Sequence, residues 1–458
     1  MLKKGELIEV TIEKNIFGGE GLGRVENSPL FVPEGVEGDV VEVEIISTNK
    51  SYSRGIIKKI IQPSEKREIP ACLYFKECGG CDFMMVKYGE QLILKKKMVE
   101  EVISKIGRLK TDKYKLNSTV GADSVELSYY YRNKIIQPFG KVADKVISGF
   151  YKKRTHEIID SEKCIIQSDI SNEIIKKLKE ITEKHSISMY NEKTGEGYLR
   201  NVMIRVNRVG DVMVVFILNS NNENKIIPVA KEILDNFSEI KSVYHSINTD
   251  KTNTLLGKKN KLLFGEKFIV ETLNDVKFNI SPASFFQVNI FQTKKLYDLA
   301  ISYFENIKGK VILDAYSGTG TIGMLVAKEA SFVYCVEENS SATADAKRAA
   351  NINNILNVEF ITGKMEEKIY EVTTKNKKVD GIIFDPPRSG ISENILIETA
   401  KCKIPEIVYI SCNPSTFARD IEILGKLGYK LEEVTPVDMF PHTHHIEIVA
   451  KIIMEDSI

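Results

Sequence analysis

Apolar positions change their period along this chain, and the changes divide it. Over the first sixty residues apolar and polar side chains alternate in short runs, Glu6 to Ile12, Leu30-Phe-Val-Pro33, Val40 to Ile46 and Ser53 to Ile61. Period-two alternation broken by regular turn signals predicts several short strands and a small β-barrel of the OB type. Gly18-x-x-Gly21-x-Gly23 has the look of a nucleotide loop, but no helical pattern follows it, so it reads as a hairpin turn. Gly38-Asp39 marks the next turn, and Pro63 and Pro70 bracket a linker. An amphipathic helical spacing then runs from Tyr88 to about Gly107. From Glu126 to Val276 the pattern is mostly strands with some helix, such as Ile174 to His185, which predicts a mixed α+β region without repeats.

From Ser281 onward strand and helix patterns alternate. The strands are Val311–Asp314, Phe332–Glu337, Val358–Thr362, Val379–Asp385 and Ile407–Cys412, with helices from Thr321 and over 341–353, 392–401 and 415–427. Such alternation predicts a parallel sheet covered on both faces, a Rossmann-like α/β domain. Two closing strands, near Leu431–Val437 and Ile446–Ile452, suggest that the last one pairs antiparallel. The chain thus divides into a β-barrel over 1–60, a mixed central domain over 61–280 and an α/β domain over 281–458. The helix over 88–108 is placed against the α/β domain.

At 458 residues the chain is too long for one core. Its longest apolar run, Val212 to Leu218, falls far short of the ~20 residues a membrane helix needs. Met1-Leu-Lys-Lys-Gly lacks the apolar stretch of a secretory signal. A cytosolic location follows as the expectation, with disulfides rare there, so the seven cysteines call for another use. Net charge is only +1, and the local cluster Lys95-Lys96-Lys97, like Lys152-Lys153-Arg154 and Lys258-Lys259-Asn-Lys261, reads most simply as a solvated face.

Chemistry concentrates at the ends of the strands of the α/β domain, where such sheets place their sites. Asp314-Ala-Tyr316-Ser-Gly318-Thr-Gly320 is a glycine turn that lets backbone approach a ligand. Glu337 ends the next strand, placed to accept hydrogen bonds from ribose hydroxyls. With no phosphate-loop lysine motif, the cofactor should be a nucleoside without a phosphate chain, and S-adenosylmethionine fits. Asp385-Pro-Pro-Arg388 has the form by which many methyltransferases hold a flat nitrogen or carbon beside the methyl donor; its prolines fix the turn. Cys412 closes the apolar run Ile407-Val-Tyr-Ile-Ser. A thiol there is useful as a nucleophile if its surroundings lower its pKa. Uracil C5 is a poor nucleophile until a thiolate adds at C6, and a base must afterwards remove the C5 proton. In Phe440-Pro-His442-Thr-His444-His445-Ile-Glu447 the spacing matches no zinc pattern of helices or fingers, and Glu447 is the choice for that base. On a strand it lies opposite Ile446 and Ile448, away from the core. Cys335 and Cys402 read as ordinary buried residues.

These motifs, with Ser284-Phe-Phe-Gln287-Val-Asn289, make the C-terminal half resemble the RNA uracil-C5 methyltransferases. The resemblance implies that Gln287, Tyr316, Gly318, Glu337 and Asp385 contact S-adenosylmethionine or the target base, that Cys412 is the nucleophile and that Glu447 is the base. Glu20-Gly-Leu-Gly23 and Val32-Pro33…Gly38-Asp39-x-Val41 resemble a TRAM domain, an RNA-binding barrel. Cys72-x5-Cys78-Gly-Gly-Cys81 with Cys164 supplies four thiols, for which zinc is the generic reading and unligated thiols the plain one. Their spacing resembles the [4Fe–4S] ligands of the ribosomal-RNA members, which implies a 23S ribosomal RNA substrate and, with no iron left open, a structural cluster. A monomer is expected. Tyr129-Tyr-Tyr131-Arg132-Asn133-Lys134 suits either stacking on unpaired bases or a core strand. Two rivals to this reading are a purine amino-group methyltransferase, which leaves Cys412 idle, and a non-enzymatic RNA-binding factor, which leaves thiol, base and cofactor loop unused.

Overall fold

The computed structural model describes residues 2–250, 255–257, 259–374 and 378–455. Lys258 of the third cationic cluster lies outside them. The first sixty residues make a six-stranded sheet in the order Leu7–Thr11, Val40–Thr48, Ser53–Gln62, Ser28–Val32, Gly21–Val25, Lys14–Asn15. The sheet curls on itself because Gly23 has no side chain. A Cβ there would stand 2.6 Å from Val10 Cγ2 and 2.8 Å from Thr11 O. Val10, Ile12, Leu30, Val32, Val41, Val43 and Ile45 fill the inside.

A second six-stranded sheet follows the order Lys259–Gly265, Ile240–Ile247, Val212–Leu218, Leu199–Val206, Lys134–Val142, Lys145–Ser148. Helices Asp169–Lys184 and Glu223–Asn236 cover one face through Ile174, Leu178, Ile226 and Ile233. The other face packs Met203, Met213, Val215 and Ile217 into the core shared with residues 269–304. Both faces of Val212–Leu218 are therefore buried, which accounts for its unbroken apolar run.

The C-terminal sheet has eight strands in the order Val358–Thr362, Phe332–Glu337, Val311–Ala315, Gly381–Phe384, Glu406–Ser411, Glu447–Met454, Tyr429–Val437, Lys115–Leu116. The first five are parallel, and Glu447–Met454 inserts antiparallel between Glu406–Ser411 and Tyr429–Val437. Helices Ile290–Ser302 and Met365–Thr373 join those that the pattern predicts. The first starts on an Asn289 cap, whose side chain accepts from Gln292 N. No helix among the described residues is long and apolar enough to cross a membrane.

The segment after the linker is drawn onto this sheet. Helix Tyr88–Lys105 buries Val99 and Ile103 with Phe417 and Ile421 of helix Pro414–Lys426, and Lys115–Leu116 adds the edge strand. One ion pair is fully enclosed in that contact. Lys95 Nζ lies 2.5 Å from Asp438 Oδ1, both side chains inaccessible to solvent. Tyr88 donates its hydroxyl to Asp438 Oδ2 at 3.0 Å, and Lys95 also donates to Phe440 O at 3.3 Å. A buried pair adds little net stability, but removing one partner strands the other charge. Lys95→Met should therefore lower unfolding stability by about 3–5 kcal/mol, read by urea titration. Lys95→Met combined with Asp438→Asn should recover most of that loss.

Candidate active site

The parallel strands end at one cavity of about 1140 Å³, and an antiparallel one begins there. Val311–Ala315 runs into Tyr316, Gly318 and Gly320, all at positive φ (64°, 54° and 72°). Tyr316 holds a left-handed conformation that costs a non-glycine residue about 1 kcal/mol. Gly320 is required twice, since a Cβ would also stand 2.6 Å from Phe360 Cε1. Gly318 is different: nothing lies within 4 Å of where its Cβ would be, so its backbone faces open cavity. Glu337 at the next strand end accepts Gly318 N–H at 2.9 Å and Asn339 N–H at 2.7 Å. Its carboxylate is thus fixed at the cavity wall beside the glycine turn. An open glycine backbone and a fixed carboxylate on adjacent strand ends fit the nucleoside part of S-adenosylmethionine.

Asp385, Pro386, Pro387 and Arg388 follow Gly381–Phe384, and Cys412 follows Glu406–Ser411. Asn413 staples the two turns. Its side chain caps helix Pro414–Lys426 by accepting Ser415 N–H at 3.1 Å and donates to Arg388 O at 3.0 Å. The inserted strand supplies the last group. Ser411 pairs with Ile448, so one step further the register brings Glu447 beside Cys412. Glu447 was expected to face away from the core; instead it is only 5% exposed. The strand has neighbours on both edges, and the face opposite Ile446 and Ile448 is the cavity floor. Gln287 and Tyr297 complete the wall, the Tyr297 phenol hydrogen-bonded to the Gln287 side chain and close to Asp385 and Glu447.

Electrostatics here oppose ionisation. Burial, then Glu447 and Asp385, push the Cys412 thiol up to about 11, with Arg388 working the other way. The surroundings of the ligand-free site thus do not lower the thiol pKa. Burial raises Asp385 to about 7, and burial followed by Asp385 raises Glu447 well above the carboxylate range. Arg388 counters the rise at Glu447. Two neighbouring buried carboxyls hold a proton between them near neutrality.

The four other candidate thiols meet elsewhere. Cys72, Cys78, Cys81 and Cys164 line one small cavity of about 40 Å³ with Phe75, Met84 and Ile166. Burial pushes Cys164 up to about 11 and Cys81 well above the usual thiol range, and each feels the other sulfurs. No three His, Cys, Asp or Glu side chains among the described residues are grouped to hold a metal ion in this conformation. Of the tyrosine run, Tyr131 is buried and donates to Pro441 O at 3.2 Å, while Tyr129 stacks on His442 at 4.3 Å. Those two rings are core supports, and only Tyr130 stays open, with Lys163 Nζ 5.0 Å over it. Tyr297 had no sequence signal. It sits on a helix whose single cue was the Asn289 cap.

The family model described as tRNA (Uracil-5-)-methyltransferase matches residues 231–454, and that of the TRAM domain matches residues 2–58. An RNA methyltransferase of Fusobacterium nucleatum is 48% identical over 99% of this chain and 97% of its own length. One from Clostridium acetobutylicum is 41% identical over 98% of each. The solved structure of Pyrococcus abyssi tRNA (uracil-54, C5)-methyltransferase with S-adenosyl-L-homocysteine matches with a TM-score of 0.76 at 28% identity. It covers 97% of this chain and 100% of its own.

The raised thiol gives a direct expectation. Without ligands, alkylation of Cys412 by iodoacetamide, followed by mass spectrometry of its peptide, should speed up about tenfold per pH unit from pH 7 to pH 9. A plateau near pH 8.5, where an ordinary thiol levels off, would contradict the burial argument.

Proposed function

The chain belongs to the family of S-adenosylmethionine-dependent RNA uracil-5 methyltransferases and carries an N-terminal TRAM domain, and from that premise we propose that it makes 5-methyluridine in 23S ribosomal RNA through a covalent Cys412 adduct. The observation that carries the proposal is the meeting of Cys412, Glu447 and Asp385 at one end of the cavity, with Gln287, Tyr316, Gly318 and Glu337 around the rest of it.

In this reading Cys412 gives up its proton to solvent water at the cavity mouth and its sulfur adds to C6 of uracil. The C5–C6 electron pair moves onto C5 and O4. S-adenosylmethionine supplies, when bound, the electrophilic methyl that ends on C5. Glu447 then takes the C5 proton, the double bond re-forms, and Cys412 leaves as thiolate. This requires the proton shared by Asp385 and Glu447 to sit on Asp385 when uracil is bound. Arg388 works toward it by opposing the rise at Glu447, against burial and Asp385, which dominate in the ligand-free site. Glu337 and the Gly318 backbone hold the nucleoside, and Gln287, oriented by Tyr297, faces the base. A purine amino-group reaction would leave the juxtaposed thiol and Glu447 without a task.

The four cysteines are assigned to a [4Fe–4S] cluster that ties the 72–81 loop to Cys164. Support comes from their shared cavity, from Gly80 N–H donating to Cys78 Sγ at 3.3 Å, and from Ile166 and Gln167 N–H groups directed at Cys164. The buried Arg132 Nε has no hydrogen-bond partner, and Arg132 lines the same cavity, a setting for an anionic group. The cysteine spacing underlies the choice of ribosomal RNA; a monomeric, cytosolic enzyme is proposed with it. Transfer RNA is the second reading, favoured by the nearly full-length match to the Pyrococcus abyssi tRNA enzyme.

RNA transcribed with 5-fluorouridine tests the mechanism, since fluorine cannot leave C5 as a proton. With S-adenosylmethionine, 23S fragments should give a denaturation-resistant protein–RNA band that Cys412→Ala abolishes; a band only with tRNA would transfer the assignment. Glu447→Gln should accumulate the same adduct on ordinary uridine RNA while turnover falls at least about a thousandfold. Anaerobic reconstitution with iron and sulfide should give a broad visible absorption in the wild type and much less in Cys81→Ser.

A further inference from the structure

The chemistry above leaves the histidine-rich segment before Glu447 unexplained, and its three histidines go to three different neighbours. His442 is buried, with Gln91 at 3.2 Å and Ser128 at 2.9 Å on its ring nitrogens. His445 lines the cavity. His444 stands between them and turns toward Asp82, the residue after Cys81.

Asp82 holds His444 twice. His444 donates its backbone N–H to Asp82 Oδ1 at 2.8 Å, and its Nδ1 pairs with Asp82 Oδ2. The ring packs 4.2 Å from His445 and edge-on to Phe17 of the N-terminal barrel at 6.1 Å. Gly19, at φ +81°, closes over the pair, since a Cβ there would stand 3.0 Å from His444 Cβ and 3.3 Å from Asp82 Oδ2. Phe83 donates its N–H to His442 O at 3.0 Å.

We propose that Asp82 is a positioning residue for methyl transfer, fastening His444 and thereby His445 and Glu447 to the cysteine loop. It rests on the reading of Glu447 as the base. Residues 438–446 form no helix or strand, so side contacts set the path by which the chain enters the ladder that begins at Glu447. Two bonds from one carboxylate fix both the backbone and the ring of His444, which a single bond would leave free to rotate. Asp82 is covalently next to Cys81, so order in the four-thiol loop passes to the base through one residue. Misplacement of a catalytic group by about 1 Å can cost about a hundredfold in rate.

Full-length wild type, Asp82→Ala and Asp82→Asn decide the matter. Asparagine keeps an acceptor for the His444 N–H and can offer its amide hydrogen to Nδ1, so it is the conservative variant. At saturating RNA and S-adenosylmethionine, Asp82→Ala should slow methyl transfer about 10- to 100-fold. Asp82→Asn should stay within about threefold of wild type, and S-adenosylmethionine affinity by calorimetry should be equal in all three within about twofold. Hydrogen exchange over 439–447 should rise in Asp82→Ala alone. The proposal is overturned by an Asp82→Ala rate within twofold of wild type, by an equal loss in Asp82→Asn, or by a matching loss of S-adenosylmethionine affinity. If the wild type itself forms no fluorouridine adduct, the uracil reading fails, and the exchange data alone judge the tie: unchanged exchange over 439–447 in Asp82→Ala overturns it.

Discussion

A strand running antiparallel to its neighbours starts where they end, and the position of Glu447–Met454 follows from that constraint. A wholly parallel sheet can present strand-end groups only after each strand, on the loops that follow. Inserting one reversed strand brings the first residue of that strand to the same edge, where Glu447 pairs with Val437 and lies one step beyond the Ser411–Ile448 pair. Glu447 is therefore carried on sheet while Asp385 and Cys412 are carried on the turns beyond theirs. The segment before it must then approach the site from outside, and residues 438–446 do so without secondary structure of their own. Everything else near the site is arranged to hold that segment still.

Three separate parts of the chain do the holding. Helix Tyr88–Lys105 reaches it through Lys95–Asp438 and Gln91–His442, the cysteine loop through Asp82 and Phe83, and the barrel through Phe17 and Gly19. A buried ion pair is a weak source of net stability but a strict one in geometry, because any other arrangement leaves a charge unpaired. The same low-polarity surroundings raise Asp385, Glu447 and Cys412. A site that keeps its protons until the substrate arrives limits the thiolate available for side reactions such as oxidation or alkylation.

Much of this was legible in the sequence because strand ends announce themselves. An apolar run stopping at Asp385, Cys412 or Glu337 marks both a strand and the residue it presents. What period and motif could not give was depth. Glu447 looked outward by alternation, yet both faces of this strand are covered, one packing Ile448, Ala450 and Ile452 into a core, the other packing Val449 and presenting Glu447 to the cavity. Tyr129 and Tyr131 carried the composition of an RNA-stacking patch and went into the core instead. Tyr297 and Asp82 had no signal at all, since their roles come from partners 10 and 362 residues away, Gln287 and His444. The direction of the thiol pKa was not legible for the same reason: it depends on burial and on which charges the fold brings near, and the fold brings two carboxyls.

The N-terminal barrel and the cysteine loop therefore belong to the catalytic unit in a mechanical sense. A domain used only to gather RNA could hang on a flexible linker, and its contacts with the enzyme would be polar and few. Here Gly19 lies close enough to His444 that even one methyl group would press on its Cβ, and Lys14 pairs with Glu101 on the helix that carries Lys95. Contacts this tight constrain orientation, so RNA bound to the barrel would meet the cavity at a fixed angle. Selection among uridines then falls to shape: only a base reaching the cavity mouth from that angle arrives at Cys412, whatever the catalytic motifs are able to accept.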